Sequence, residues 1–378
     1  MRLHTVFAVL GLACAAVAAT SIFRRVPAPA PHSSAGSLNF LNAISAVSAN
    51  DMWAVGNQAV HWDGSRWTSL PAPNLDGSVT NVLLSVAAVS SGNAWAVGMF
   101  SPDGIHSMPM AQHWDGSAWS LANTAQFAGD QGAFLSAITA ISSSDIWAVG
   151  SLTHASGREE PLFEHFDGVT WSQIAGPPTG VPAASLSAIS AVSSSDIWAV
   201  GSAIAEHWDG TSWTIVPIQP AGTDDQFFGV QAVASNDVWA VGRFTPNDPR
   251  FMPGSTLTLI EHWDGTSWTH IKSPNGFVNS FPDNLLYGAT AVSANDIWAF
   301  GFYAIERSST EKFRSLVLHW DGHSWTQVAV PNPATGAESL NYLSGGVAPR
   351  AGDLWLVGGT NEPSTGAADA LILHTTGG

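Results

Sequence analysis

The sequence predicts an all-β fold: a seven-bladed β-propeller of four-stranded antiparallel blades, its ring closed by an N-terminal strand that supplies the outer strand of the last blade. Three observations predict it. A Trp set in an Asp-x-Trp-Ala-Val-Gly element recurs seven times, at about 50-residue intervals. A His-Trp-Asp-Gly-x-x-Trp element follows it in six of the seven units, with Phe166 in place of the first Trp in the third. The strand missing from the last unit stands instead at the start of the chain.

In chain order, residues 1–19 come first and read as a targeting segment. Arg2 gives a positive n-region, Val6 to Ala13 an apolar h-region, and Ala16-Val17-Ala18 a small-x-small cleavage site. The apolar run ends by about Ala19, short of the ~20 residues that span a bilayer. No later stretch is long and apolar enough for a membrane helix. Gly11-Leu12-Ala13-Cys14 resembles a bacterial lipobox, although Gly11 stands where an aliphatic residue is expected. The chain is therefore expected outside the cell or at its surface, with a lipid anchor at Cys14 as the alternative to free secretion. Cleavage after Ala18 or Ala19 would leave no cysteine and no disulfide.

The rest, 20–378, is expected to be one propeller. Residues 20–30 form the closing strand, and the blades lie near 38–73, 82–122, 134–175, 185–218, 227–272, 285–331 and 340–378. The b-strand Trp recurs at Trp53, Trp95, Trp147, Trp198, Trp239, Trp298 and Trp355. Each unit gives an alternating Leu-x-Ala-Ile-x-Ala-Val run (strand a), then Ile-Trp-Ala-Val-Gly (strand b). Strand c leads into His-Trp, and strand d begins at the last Trp. Asp-Gly between c and d is a hairpin signal, because both residues tolerate the positive φ of a tight turn. Ile22-Phe23-Arg24-Arg25-Val26-Pro27-Ala28-Pro29 matches Trp67-Thr68-Ser69-Leu70-Pro71-Ala72-Pro73 of the first unit in pattern, with Phe23 in the place of Trp67. All 18 Trp fall on repeat positions, so they read as inter-blade core rather than as a ligand platform.

The rhythm of Trp-Asp after strand c resembles that of WD40 propellers. The Asp-Gly-x-x-Trp hairpin is similar to the Asp-box of other propellers, bacterial sialidases included, with one residue less between Asp and Trp and His for the usual Ser or Thr. Residues 38–378 most resemble a set of exported bacterial proteins built from these two repeats. The resemblance implies the propeller and no defined activity, because propellers host many functions.

Composition narrows the partners. With 29 acidic against 12 basic residues the formal net charge is −17, and Lys272 and Lys312 are the only lysines. Nucleic acid and anionic membrane are poor partners for such a chain, since a phosphate footprint needs clustered cations. The chain is expected to be a monomer.

Seven histidines at equivalent places (His61, His113, His165, His207, His262, His319, His374) invite a metal reading. They sit on strand c, roughly 10 Å further from the axis than strand a at ~4.8 Å per strand, so they cannot converge on one ion. Each is expected to bond a neighbouring turn, the Asp or Ser of the a–b hairpin. The recurrent Asp63, Asp115, Asp167, Asp209, Asp264 and Asp321 sit in tight turns and serve their own backbone. Sialidase chemistry would want an arginine triad with a Tyr–Glu pair; the ten arginines recur at no shared position, and only Tyr287, Tyr303 and Tyr342 are present. No nucleophile elbow, zinc helix or phosphate loop occurs. No catalytic residue, metal site or cofactor is assigned.

The units differ in their b–c loops: short in units one and four, long at 99–111, 151–163, 243–259, 302–316 and 359–370. In a propeller these emerge with the d–a connections on one face. Candidate ligand residues there are His106, Arg158, Glu159, Arg243, Arg250, Asp224, Asp225, Arg307 and Arg314, since function usually lives in variable loops on a rigid frame. The same loops read equally well as solvated connections. Acids on the d–a connections could hold Ca²⁺, but they lack the spacing of a defined calcium loop. The function expected is an exported, non-catalytic binding or scaffold module for a protein or glycan. The alternatives are a glycan-active hydrolase or lyase over the channel, and a purely structural envelope protein.

Overall fold

The computed structural model describes residues 22–29, 39–73, 80–125, 132–180, 183–202, 204–277, 279, 281–305 and 312–375. Among these residues there are 28 strands and no helix, joined by hydrogen bonds into seven four-stranded antiparallel sheets. In the first blade, strand a is Leu41–Ser48, b is Asp51–Gly56, c is Ala59–Trp62 and d is Trp67–Leu70. The same order recurs over 80–122, 132–174, 186–215, 226–270 and 284–327. Strand a of each blade packs on strand a of the next, and that of the seventh packs on that of the first, which closes a ring.

The seventh blade takes strands a (Leu340–Arg350), b (Asp353–Glu362) and c (Ala367–Thr375) from the C-terminal end and strand d (Phe23–Arg25) from the N-terminal end. Phe23 pairs with Thr375, Arg24 with His374 and Arg25 with Leu373, so Phe23 occupies the register that Trp67 holds opposite Trp62. The N–H of Val26 extends the ladder to the carbonyl of Ile372 at 2.8 Å. This pairing covers an edge that would otherwise stand open in the last blade.

Between blades lies a repeated aromatic core. The strand-b Trp of one blade is covered by two aromatic rings of the next: Trp53 by Trp114 and Trp119, with centroids 4.9 and 5.0 Å away. Trp198 is covered in the same way by Trp263 and Trp268, and across the closure Trp355 by Trp62 and Trp67. The strand-d rings meet the strand-b rings edge-on, at 85° for Trp119 and 87° for Phe23 against Trp298, which sets a positive ring edge on a negative ring face. Each such ring buried contributes on the order of 2–3 kcal/mol.

Two glycine positions have steric causes. The Gly that follows Ala-Val in strand b is fixed because a Cβ there would meet a backbone carbonyl in or just before strand a, that of Ser185 in the case of Gly201. The c–d turn has Gly64 at φ +90°, a region other residues seldom enter.

Strand a carries a β-bulge in every blade. The extra residue is Asn42, Leu84, Ser136, Ser187, Phe228, Tyr287 or Ser344, and all seven line the central channel. The structure differs from the sequence reading in the b–c connections. Stretches read as long loops are mostly continued β-ladder: Met99 pairs with Pro109, Leu152 with Glu160, Phe302 with Ser315 and Gly359 with Ala370. The hairpins run on because pairing satisfies backbone groups that a loop of that length would leave to solvent. Among the described residues the fifth blade keeps a long irregular connection, 245–256.

Candidate functional site

The repeated polar residues form a supporting layer. His Nε2 lies 2.7–2.9 Å from the strand-b Asp of its own blade in six cases: Asp51, Asp145, Asp196, Asp237, Asp296 and Asp353. In the second blade the partner is Asn93, at 3.1 Å, and there burial holds the His113 imidazole below its ordinary pKa. Each imidazole also lies on the strand-b Trp, with centroids 3.9 to 4.6 Å apart. The histidines therefore bond the a–b hairpin through its Asp, or Asn93 in the second blade, and not through its Ser. Among the described residues no group of three His, Cys, Asp or Glu is arranged to hold a metal ion.

The turn aspartates serve their own backbone. Asp209 accepts from the N–H groups of Thr211 and Ser212 and from the Thr211 hydroxyl, and these bonds, the hydroxyl first, lower its pKa to about 2. Asp63, Asp115 and Asp264 are held near the same value by the same contacts. Such carboxylates stay ionised and are poor general acids.

Three further carboxylates are buried between blades at the position preceding the repeat His: Glu164, Glu206 and Glu261. Burial raises Glu164 to about 7 and Glu206 to about 8. Neither oxygen of Glu206 has a hydrogen-bond partner. The other blades place Val60, Gln112, Leu318 and Leu373 there. All three carboxylates are sealed from solvent, so the raised pKa values of Glu164 and Glu206 mark packing rather than a reaction site.

The residues singled out from the sequence do not gather. Arg158 pairs with Glu160 at 2.7 Å, and Glu159 accepts from Ser151 at 2.6 Å. His106 bonds Asp103, and exposed Arg250 forks onto Asp248. Asp225 is buried and caps the N–H groups of Ala221 and Gly222 at 2.7 and 2.9 Å. Arg314 braces the sixth blade against its neighbour through the Ala334 carbonyl at 2.8 Å. Arg307 lies outside the described residues. Arg243 and Asp224 do meet, joined through Gln226: the guanidinium donates to Gln226 Oε1 at 3.0 Å, and Gln226 Nε2 donates to Asp224 at 3.4 Å.

Arg243 also reaches the feature that sequence reading missed. At the loop-face end of strand a, aromatic rings form a continuous row over four consecutive blades: Phe228, Tyr287, Tyr342 and Phe40. Successive centroids lie 5.9, 6.2 and 5.6 Å apart. The Arg243 guanidinium sits 6.0 Å from the Phe228 centroid, with its Nε unpartnered. Burial raises the pKa of both tyrosines, most for Tyr342, so their hydroxyls stay protonated. Neither hydroxyl finds a hydrogen-bond partner among the described residues. Elsewhere round the channel two bulge residues bond the next blade: Asn42 the Leu83 carbonyl at 2.8 Å, and Ser136 that of Leu186 at 2.6 Å. The channel encloses about 580 Å³. Only half of this row has an equivalent in the other units: Phe228 and Tyr287 occupy the bulge position, where the other blades carry Asn, Leu and three Ser, whereas Tyr342 and Phe40 lie outside it.

No protein-family profile matches the chain, and no curated protein sequence does. Solved structures do match in fold. One is YCF48 bound to a D1 peptide, at 12% identity over 95% of this chain and 96% of that one, with a TM-score of 0.56. YCF48 from Cyanidioschyzon merolae matches at 13% identity, covering 94% and 98%, with a TM-score of 0.55. A protein of unknown function from Dyadobacter fermentans matches at 13% identity over 81% of this chain and 98% of that one, with a TM-score of 0.50. At these identities the likeness is one of fold.

Proposed function

We propose that this chain is an exported, non-catalytic protein-binding module, and that it holds a segment of its partner against the aromatic half of the channel mouth. One observation supports this above the rest: Phe228, Tyr287, Tyr342 and Phe40 form a row that carries two phenol hydroxyls and ends at the Arg243 guanidinium, whose Nε has no partner among the described residues. Rigid aromatic rings with polar tips, next to Arg, are the side chains that dominate protein recognition. A structural neighbour of the same fold, YCF48, is described bound to a peptide, which accords with a protein ligand.

The reading is tested with a library of 12-residue peptides displayed on phage, from which binders are selected and then titrated as synthetic peptides. Selected peptides should bind the Phe228→Ala/Tyr287→Ala variant at least tenfold more weakly at an unchanged melting temperature. Equal affinity for both proteins, or turnover of the peptide, would overturn it.

A further inference from the structure

The turn face departs from its repeat at one place, the junction of the seventh and first blades. Six blades put Ser or Thr opposite the repeat His in strand d, as with Thr68 opposite His61; the seventh puts Arg24 opposite His374. The other blades place Ser, or Ala234, opposite the strand-b Asp or Asn across the a–b turn; the seventh places Arg350 opposite Asp353. Where the others have the strand-c Trp or Phe, the seventh has Thr375. Two of these changes add a guanidinium, and the third removes a large ring.

The result is a groove of about 760 Å³, lined by Arg24, Asn50, Trp62, Arg350, Asp353 and His374. A second groove continues from Arg24 and Trp62 to Arg25 and Arg66. Thus four of the chain's twelve basic residues meet at one seam of a protein with net charge −17. Arg24 and Arg25 are exposed and have no carboxylate within ion-pair distance among the described residues. Arg24 donates to His374 Nδ1 at 3.5 Å, His374 Nε2 lies 2.7 Å from Asp353, and Arg350 meets the other Asp353 oxygen at 3.2 Å. Since Arg can only donate, His374 Nδ1 accepts from Arg24 and Nε2 donates to Asp353.

We infer that this seam binds an acidic glycan. Planar guanidinium forks match carboxylate and sulfate groups, and half-buried Trp62 offers ring surface to a sugar in both grooves. Pro27 and Pro29 remove backbone donors along the strand's exit, so the ligand must be held by side chains rather than by strand pairing.

The experiment is a titration at low salt with oligogalacturonate and sulfated heparin hexasaccharides, with maltohexaose as neutral control and poly-glutamate as an acidic peptide. The variant is Arg24→Thr/Arg350→Ser, which restores residues that other blades carry at those places. The acidic hexasaccharides should bind, the neutral one should not, and the double variant should lose at least tenfold in affinity at an unchanged melting temperature. Arg24→Lys should lose most of that tenfold as well, which keeps the test decisive if the double variant folds poorly. Lys312→Ser, in the b–c connection of the sixth blade, should leave binding unaltered. Absence of binding to either acidic hexasaccharide, equal binding by the variants, or equally tight capture of poly-glutamate would overturn the inference.

Discussion

Two sets of equivalent positions run round this ring and behave in opposite ways. The Trp and His positions between blades keep nearly the same residues throughout, and each meets the same neighbours: a ring of the next blade and an Asp or Asn of its own. The bulge positions on the channel share one backbone geometry yet carry Asn, Leu, Ser, Phe and Tyr. Sameness where blades touch reflects one packing problem solved seven times. Difference where the backbone is held constant shows where the molecule is free to acquire a specific surface.

Deleting 22–29 should break the first set hardest. It uncovers the outer edge of the seventh blade and leaves Trp298 without Phe23, the one ring of the next blade placed 6.0 Å from it. A large fall in melting temperature is expected in calorimetry; an unchanged transition would show that the ring does not depend on its closing strand. Trp198→Ala comes next. It removes a ring only 1% exposed and packed on Trp263 and Trp268, so a loss of about 3–5 kcal/mol is expected in denaturant unfolding. A near-neutral result would move Trp198 out of the core.

Glu206→Gln sharpens the comparison with a smaller effect of opposite sign. The folded-state pKa of Glu206 is raised to about 8 by burial, above its ordinary 4.5. Between those values the native protein holds a proton that the unfolded chain releases, so raising the pH through this window drains stability. The Gln variant, which mimics the neutral form and copies Gln112 of the second blade, should match the parent near pH 4. It should exceed the parent by about 1–3 kcal/mol at pH 8, the usual cost of an unsatisfied buried polar group. Equal stability at both pH values would mean that Glu206 finds a partner when charged.

The fold was readable because propeller repeats write the same inter-blade contacts into the sequence again and again. Even the displaced strand was visible, since Phe23 keeps the place of Trp67. The site was less readable. Charge in long connections drew attention to Arg158, Arg250 and Arg314, which the fold uses to brace its own hairpins and junctions. Tyr287 and Phe228 gave no periodic signal, because a bulge shifts them by one residue out of the strand alternation that marks inward and outward faces. The buried carboxylates were hidden for another reason: a Glu before His-Trp looks solvent-exposed until the blade beside it is in place.

The bond between Arg24 and His374 spans 350 positions of sequence. During synthesis from the N-terminal end, the ribbon that seals the circle is made first and finds its place last. Until His374 has emerged, six blades can stack but the circle stays open, with the edge of the sixth and the face of the first bare. Closure of the ring therefore rests on one seam, where the earliest strand of the propeller has to find the latest.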